Sequence, residues 1–219
     1  KNDQTTDPQN YRPIACENNM FKVYTGIITK FINDHCCRNN IIYEEQAANK
    51  AGSWGCIDQL LINKMIMKEV QRYKRNIVNI WLDYKKAYDS VPHDWILKSL
   101  KLIKLPANII GTIQQIVSLW AAKIHLKTKS ENIKIDTIRY KNGMMQGDAL
   151  SVVLFVICFN PLSYLLRKST GYAVGPPNER NVNITHLAFV DAFKFFSNKI
   201  SYTKQQLDIV KNYAKDIGL

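Results

Sequence analysis

Two aspartates each follow directly on a short apolar segment. Asp83 comes after residues 77–82, and Asp191 comes after residues 184–190. Both segments are predicted to be strands, because they are short and rich in β-branched and aromatic residues. If the strands pair, both carboxylates lie at one edge of a sheet, where they suit Mg²⁺, a cation that prefers oxygen ligands and often completes its shell with substrate phosphates. Two such ions about 4 Å apart can activate an attacking 3′-hydroxyl and stabilise a leaving pyrophosphate. The alternative is that each aspartate merely ends a strand, and the pattern alone favours that alternative.

The composition indicates a folded domain with a polyanionic partner. The chain has 219 residues, of which 46% are hydrophobic and 22% are charged, so it can bury a core and is not a disordered tail. Thirty Lys and Arg against 18 Asp and Glu give a net charge of +12. This excess disfavours a cationic partner and favours nucleic acid or an anionic membrane surface. The five cysteines include no CxxC pair, which argues against a disulfide framework or a zinc knuckle and favours a reducing compartment.

The hydrophobic pattern predicts helices that alternate with a few strands, in an α/β or α+β arrangement with a small sheet. Helices are predicted over residues 21–38, 56–75, 93–104, 106–120, 149–168 and 205–216. Strands are predicted over 77–82, 184–190 and 193–197, with a hairpin over 123–140 that turns at Ser130–Asn132. The helix over 149–168 is expected to bend or break near Pro161. Its apolar run, residues 150–159, is too short to span a bilayer, and nothing in the sequence supports membrane attachment.

Several segments resemble, in order, the motifs of reverse transcriptases from non-LTR (LINE-like) retrotransposons. Residues 83–93 resemble motif A, residues 146–151 motif B and residues 186–191 motif C. Residues 10–14 are similar to the motif of the fingers, and residues 45–46 and 58–60 match the segment between it and motif A. One motif would be weak support, but five in order over nearly the whole chain are a specific signal.

The resemblance implies an α+β right-hand polymerase fold, with a small antiparallel palm sheet flanked by helices. It assigns residues 1–75 to the fingers and 76–219 mainly to the palm, with the chain ending at the start of motif D and the thumb absent. The implied activity is Mg²⁺-dependent addition of dNTPs to a DNA primer on an RNA template. The family leads us to expect action in the nucleus, although the chain shows no clear nuclear signal, and no membrane partner is expected.

The resemblance also gives roles to the acidic residues and to one arginine. Asp83 and Asp191 match the metal-binding catalytic carboxylates of the family. Arg12 matches the fingers arginine that meets the incoming triphosphate. Arginine suits this role because its fixed fork of donors binds phosphate oxygens in pairs.

Three further positions match the family's nucleotide pocket. Gln146 and Gly147 match the motif-B loop that lines the template and nucleotide pocket, where a glycine lets the backbone approach a ligand closely. Tyr88 matches the bulky ring that excludes a ribose 2′-hydroxyl and so favours deoxynucleotides. Without the surrounding motif, Tyr88 would be interpreted as an ordinary core aromatic.

The sequence departs from the family at two positions that bear on activity. Ala192 stands where the family has a second aspartate in motif C, and Val152 stands where motif B usually has proline. The lost carboxylate weakens a site that must neutralise divalent cations and a triphosphate, so this copy is predicted to be inactive or impaired. The alternatives are a catalytically dead palm that only binds nucleic acid, and an unstable fragment that does neither.

Basic residues offer contacts to nucleic-acid phosphates. Such contacts give affinity that depends on salt and not on sequence, although a solvated lysine-rich face is the simpler interpretation of any single residue. The candidates lie on the predicted hairpin and at the end of the second helix: Lys123, Lys127, Lys129, Lys134, Arg139, Lys141, Arg72, Lys74 and Arg75.

Overall fold

The computed structural model describes residues 14–50, 52–123, 125–127, 132–134, 136–176 and 181–219. Within these residues the helices are α1 (Asn19–Arg38), α2 (Cys56–Tyr73), α3 (Ala87–Ser90), α4 (His93–Leu102), α5 (Ala107–Leu119), α6 (Ala149–Arg167) and α7 (Ile200–Ile217). The strands are β1 (Val78–Leu82), β2 (Ala121–Ala122), β3 (His125–Lys127), β4 (Asn132–Lys134), β5 (Ile138–Arg139), β6 (Tyr172–Val174), β7 (Val182–Ile184), β8 (His186–Phe189) and β9 (Ala192–Ser197). The predicted α+β class with small antiparallel sheets is confirmed.

The central sheet has three antiparallel strands in the order β1-β9-β8. β9 pairs with β1 from Val78 opposite Ser197 to Leu82 opposite Phe193. It also pairs with β8, and the last pair joins Phe189 to Ala192. Only Val190 and Asp191 remain between β8 and β9, so they form the turn of a tight hairpin.

One face of this sheet packs against a core centred on α6. Phe193 and Phe195 of β9 share a hydrophobic cluster with Leu154, Phe155 and Phe159 of α6. α6 is almost entirely apolar, so it is buried on nearly all sides, as expected of a helix in the middle of a core. Asp148 is the N-cap of this helix, and its Oδ1 accepts a hydrogen bond from the Leu150 N–H at 3.3 Å.

Of the predicted bend or break of α6 near Pro161, the break does not occur. The helix continues through Pro161 to Arg167, which makes it 19 residues long. By length and composition α6 could therefore span a membrane, contrary to the expectation from its shorter apolar run. In the structure 72% of that stretch is buried inside the protein, where the helix forms the core.

The opposite face of the sheet packs against α2. Ile66 of α2 clusters with Tyr172, Leu187 and Phe196. The helix also carries an apolar stripe of Ile57, Leu60, Leu61 and Met65, and this stripe is exposed in the described structure, with Leu60 and Met65 64% and 69% exposed.

Two predicted strand segments are divided. The segment 184–190 breaks at Thr185, so that β7 pairs with β6 while β8 joins the central sheet. The predicted hairpin over 123–140 is present as two short pairs, with Leu126 opposite Ile133 and Ala122 opposite Ile138. Its predicted turn lies mostly outside the described residues. The strand β1, although mostly apolar, is not buried on both faces, because its burial alternates and leaves Asn79 and Trp81 exposed.

Candidate active site

The two aspartates are brought to the same edge of the central sheet. Asp83 directly follows β1, immediately beyond the pair of Leu82 with Phe193. Asp191 lies in the turn between β8 and β9, and Ala192 is the next residue of β9. Asp83 is exposed and Asp191 is half-buried, so both lie where a substrate can approach. The sequence prediction that pairing strands would bring these residues to one edge agrees with this arrangement.

Tyr88 lies in the core beside this edge. Its ring stacks on Phe155 with the ring centroids 4.8 Å apart. Burial and the nearby charge of Asp191 raise the pKa of Tyr88 to about 12, so the hydroxyl stays protonated at neutral pH. The ring is therefore held between α6 and the acidic edge. The ring is half-buried, and its role in excluding a ribose 2′-hydroxyl stays a prediction.

The loop before α6 is joined to the segment that follows Asp83. The Met144 N–H donates to the Tyr88 carbonyl at 2.7 Å, and the Gly143 N–H donates to the Val91 carbonyl at 2.8 Å. A Cβ at Gly143 would lie 2.7 Å from the Asp89 backbone, and the residue has a φ of +85°. Only glycine fits this close approach without strain.

Gln146 and Gly147 lie in the same loop. Gln146 Nε2 donates to Asp89 Oδ1 at 3.3 Å, and the Gln146 carbonyl accepts from the Ala15 N–H at 2.8 Å. Gly147 has a φ of +123°, and a Cβ there would lie 2.9 Å from the Ala15 carbonyl oxygen. The loop thus contacts two other segments, one through Asp89 and the other through Ala15. Gly147 remains exposed.

Two buried carboxylates lie where this loop meets α1. Asp148 is 3% exposed, and its Oδ1 accepts from Thr25 Oγ1 at 2.8 Å. The pKa of Glu17 is raised, first by burial and then by the negative charge of Asp148. The hydrogen bond from Thr25 to Asp148 fixes the start of α6 against α1, a link that no sequence pattern indicates.

The sequence alone does not identify Gln46 as a contributor to the site. Gln46 lies in a segment next to β8, where the Ala188 N–H donates to the Glu45 carbonyl at 2.8 Å. Its side-chain amide contacts the backbone of Val190, the residue before Asp191. In the sequence, residues 45–46 stand out only as part of the family pattern.

The remaining predicted positions are placed as follows. Ala192 is exposed at the start of β9, and Val152 is half-buried within α6. Arg12 lies outside the described residues. Five of the candidate basic residues are exposed: Arg72, Lys74, Lys123, Arg139 and Lys141. Lys129 lies outside the described residues.

Arg75, one of the candidate contacts for nucleic acid, is bound within the protein instead. Its Nη1 donates to Glu69 Oε1 and to the Ala173 carbonyl, each at 3.0 Å. The side chain is only 23% exposed. Arg75 therefore joins α2 to β6 within the protein.

The acidic edge suits a metal that is held partly by substrate. In the part of the chain that the structure describes, no group of three or more His, Cys, Asp or Glu side chains could hold a metal ion by itself. Two carboxylates at one edge nevertheless fit Mg²⁺, which commonly binds one or two carboxylates together with substrate phosphates and water. The donor set thus agrees with a site that is completed by a nucleotide.

A cavity of about 770 Å³ adjoins this region, between the C-terminal end of α1 and the residues before α2. Its lining includes Asn33, Lys50, Trp54 and Phe189, and Trp54 is 75% exposed. Aromatic rings beside amides and a cation are suited to contacts with bases and phosphates.

These features define the class of protein. A three-stranded antiparallel sheet that is backed by helices and carries carboxylates at a strand end and in the adjoining hairpin turn has the architecture of the right-hand polymerases. The whole chain, residues 1–219, matches the family described as reverse transcriptase (RNA-dependent DNA polymerase). The chain belongs to this family.

The curated relatives agree with the resemblance to non-LTR elements. The chain is 29% identical over 173 residues to the Pol polyprotein of the type-1 retrotransposable element R2 of Nasonia vitripennis, covering 78% of the chain and 16% of that protein. It is 22% identical to the Pol polyprotein of the type-2 element R2DM of Drosophila melanogaster, covering 97% of the chain and 19% of that protein. The predicted kinship with a non-LTR reverse transcriptase domain is confirmed, and the chain spans less than a fifth of these relatives.

Solved structures support the fold. The apo telomerase of Candida tropicalis, truncated from its C-terminal domain, superposes with a TM-score of 0.61 and 14% identity, covering 90% of this chain and 38% of that one. Telomerase of the same species in complex with the TWJ fragment of telomeric RNA gives a TM-score of 0.59 and 14% identity, covering 89% and 31%. At this identity the likeness establishes the polymerase fold alone.

Proposed function

We propose that this chain is the fingers and palm part of an RNA-directed DNA polymerase that adds dNTPs to a DNA primer on an RNA template. Residues 1–75 correspond in this proposal to the fingers and 76–219 mainly to the palm. The observation that carries it is the meeting of Asp83 and Asp191 at one edge of the central sheet, although they are far apart in the sequence. Membership of the family and the net charge of +12 support the same activity.

The residues around the acidic edge have separable roles in this proposal. Asp83 and Asp191 would hold Mg²⁺, which supplies charge neutralisation for a triphosphate and lowers the pKa of a bound hydroxyl. Tyr88 limits the space beside the sugar, since its ring is packed against Phe155 and cannot easily withdraw. Gln146 and Gly147 shape the pocket floor, and Arg12 binds the triphosphate.

Primer extension tests this activity directly. The chain is incubated with a DNA primer on an RNA template, dNTPs and Mg²⁺, and compared with Asp83→Asn and Asp191→Asn. We expect extension that a chelator abolishes and that either variant reduces by about 10²-fold or more, because each removes a charge on which the site depends. Extension that persists in both variants would disprove the assignment of the site.

Ala192 favours a second candidate function, in which the domain binds nucleic acid without catalysis. The site then has one fewer carboxylate than the family pattern, while the excess of basic residues is kept. This candidate predicts binding to an RNA–DNA hybrid that weakens about tenfold or more between 50 and 200 mM salt, without nucleotide incorporation. Binding that does not change with salt would exclude it.

A further inference from the structure

A buried glutamine contacts both backbone polar groups of the residue that precedes Asp191. Gln46 is 4% exposed. Its Oε1 accepts a hydrogen bond from the Val190 N–H at 3.0 Å, and its Nε2 donates to the Val190 carbonyl at 3.3 Å. Oε1 also accepts from the Ala48 N–H at 3.1 Å, so both polar atoms of the amide are used. The side-chain amide thus pairs with the N–H and the carbonyl of Val190, in the turn of the β8–β9 hairpin, much as the backbone of a neighbouring strand pairs with a residue in a sheet.

Val190 needs such support because its backbone is in an unfavourable conformation. Its φ is +55°, in the left-handed region. Among the described residues it is the only β-branched residue with positive φ, and β-branched side chains disfavour this region strongly. Conformations of this kind persist only where the surrounding structure holds them. The turn that carries Asp191 is therefore strained, and its shape depends on its neighbours.

The segment that carries Gln46 is itself held from several sides. The Ala47 N–H donates to the Ala188 carbonyl at 3.0 Å, next to the bond between Ala188 and Glu45 already described. Gln59 Nε2, from α2, donates to the Glu45 carbonyl at 3.0 Å. Glu45 Oε1 lies 3.2 Å from Arg167 Nε, at the end of α6. Gln46 thus reaches the turn from a base that is fixed to β8, α2 and α6.

We propose that Gln46 is a positioning residue for Asp191. It holds Val190 in the left-handed conformation and thereby sets where the Asp191 carboxylate lies beside Asp83. The catalytic part of this inference rests on the proposed polymerase activity. A carboxylate in an active site must be placed to within about 0.5 Å, and a misplacement of about 1 Å can lower the rate about 10²-fold.

The first test measures whether Gln46 and Val190 act together, and it needs no activity. Melting temperatures of the chain are compared for Gln46→Met, Val190→Gly and the double variant. Glycine adopts positive φ without strain, so the turn no longer needs the glutamine. We expect the drop in Tm caused by Gln46→Met to be about half or less in the Val190→Gly background. An equal drop in both backgrounds would overturn the proposal.

The second test uses Gln59→Met as a matched control. Gln59 is also a partly buried glutamine that binds this segment, but it contacts Glu45 and not Val190. In primer extension, Gln46→Met should lower kcat about 10²-fold, leave the KM for dNTP nearly unchanged and raise the Mg²⁺ concentration needed for half-maximal rate. Gln59→Met removes only one of the several bonds that hold the segment, so it should raise the Mg²⁺ requirement less than Gln46→Met does. Equal effects of the two variants would overturn the proposal.

The two tests separate failure of this inference from failure of the proposed function. If no protein extends the primer, including the Ala192→Asp variant, the polymerase proposal fails for this chain. The melting temperatures then decide alone whether Gln46 holds the turn. If the wild-type or Ala192→Asp chain extends the primer, the proposal holds only if both the melting temperatures and the primer-extension kinetics give the expected results.

Discussion

Replacing Ala192 by aspartate should restore a carboxylate at an open position of the acidic edge. Continuing the pairing of β1 with β9 by one residue puts Asp83 opposite Ala192, with Cβ atoms about 5 Å apart. Both residues are exposed, so a new side chain there meets no packed neighbour and the fold is kept. The substitution therefore tests the electrostatics of the site with little risk to folding.

The magnitude follows from the Cβ separation, which is taken as the approximate distance between the two carboxylates. Two like charges about 5 Å apart repel by about 1 kcal/mol at the dielectric constant of water, which suits exposed groups. For a chain of this size, about 1 kcal/mol corresponds to about 2–4 °C in Tm. We expect Ala192→Asp to lower the Tm by about this amount in a chelator and to regain it in Mg²⁺, since a bound cation relieves the repulsion. Primer extension should rise about 10²-fold, equivalent to about 2.7 kcal/mol of transition-state stabilisation.

Ala192→Asn is the matched control, because it has nearly the same shape as the aspartate variant without its charge. It should show neither the Mg²⁺-dependent change in Tm nor the faster extension. The assays are thermal unfolding with a chelator or with Mg²⁺, and primer extension on an RNA template. If Ala192→Asp and Ala192→Asn behave alike in both assays, the edge at Asp83 is not the metal site and the reasoning is refuted.

Three further predictions concern the surroundings of the site. Tyr88→Val should admit ribonucleotides at least about tenfold better relative to deoxynucleotides, while Tyr88→Phe keeps the ring and the discrimination, as measured by competitive incorporation. Gly143→Ala should lower the free energy of unfolding by about 1–3 kcal/mol in denaturant unfolding, because the φ of this residue is positive and a Cβ would meet the Asp89 backbone. A variant that unfolds at the same denaturant concentration as the wild type would contradict this. Burial lowers the pKa of His186 to about 3, so the folded ring stays neutral while the unfolded ring gains a proton below pH 6.5. The free energy of unfolding should therefore fall by about 2 kcal/mol from pH 7 to pH 5, as measured by denaturant unfolding at each pH. His186→Gln should lack this pH dependence, and an equal fall in that variant would contradict the prediction.

The sequence was sufficient to predict the elements that position the acidic residues. The strands before Asp83 and Asp191 have strong local patterns, and the order of the motifs pointed to the polymerase fold. The apolar stripe of α2 is visible in the sequence, but its exposure is not, because periodicity marks an apolar face without showing whether another element covers it. The continuous helix through Pro161 is a case in which burial on nearly all sides overrides the local preference of proline.

Contacts between distant segments were beyond prediction from one sequence. The hydrogen bonds of Gln46 to Val190 join residues more than a hundred positions apart, and a lone glutamine carries no pattern that indicates its partner. The same holds for Asp148 and Thr25. The sequence identified which residues have the chemistry, whereas the fold was needed to show what holds them in place.

The most direct test of the account is to locate a divalent cation at the acidic edge. Crystals of the chain with Mn²⁺, a primer–template duplex and a non-hydrolysable dNTP analogue would be examined for anomalous scattering from manganese. We predict a peak with oxygen ligands from both Asp83 and Asp191, which disappears in Asp83→Asn. Manganese bound elsewhere, or at this edge without contact to either aspartate, would contradict the central claim.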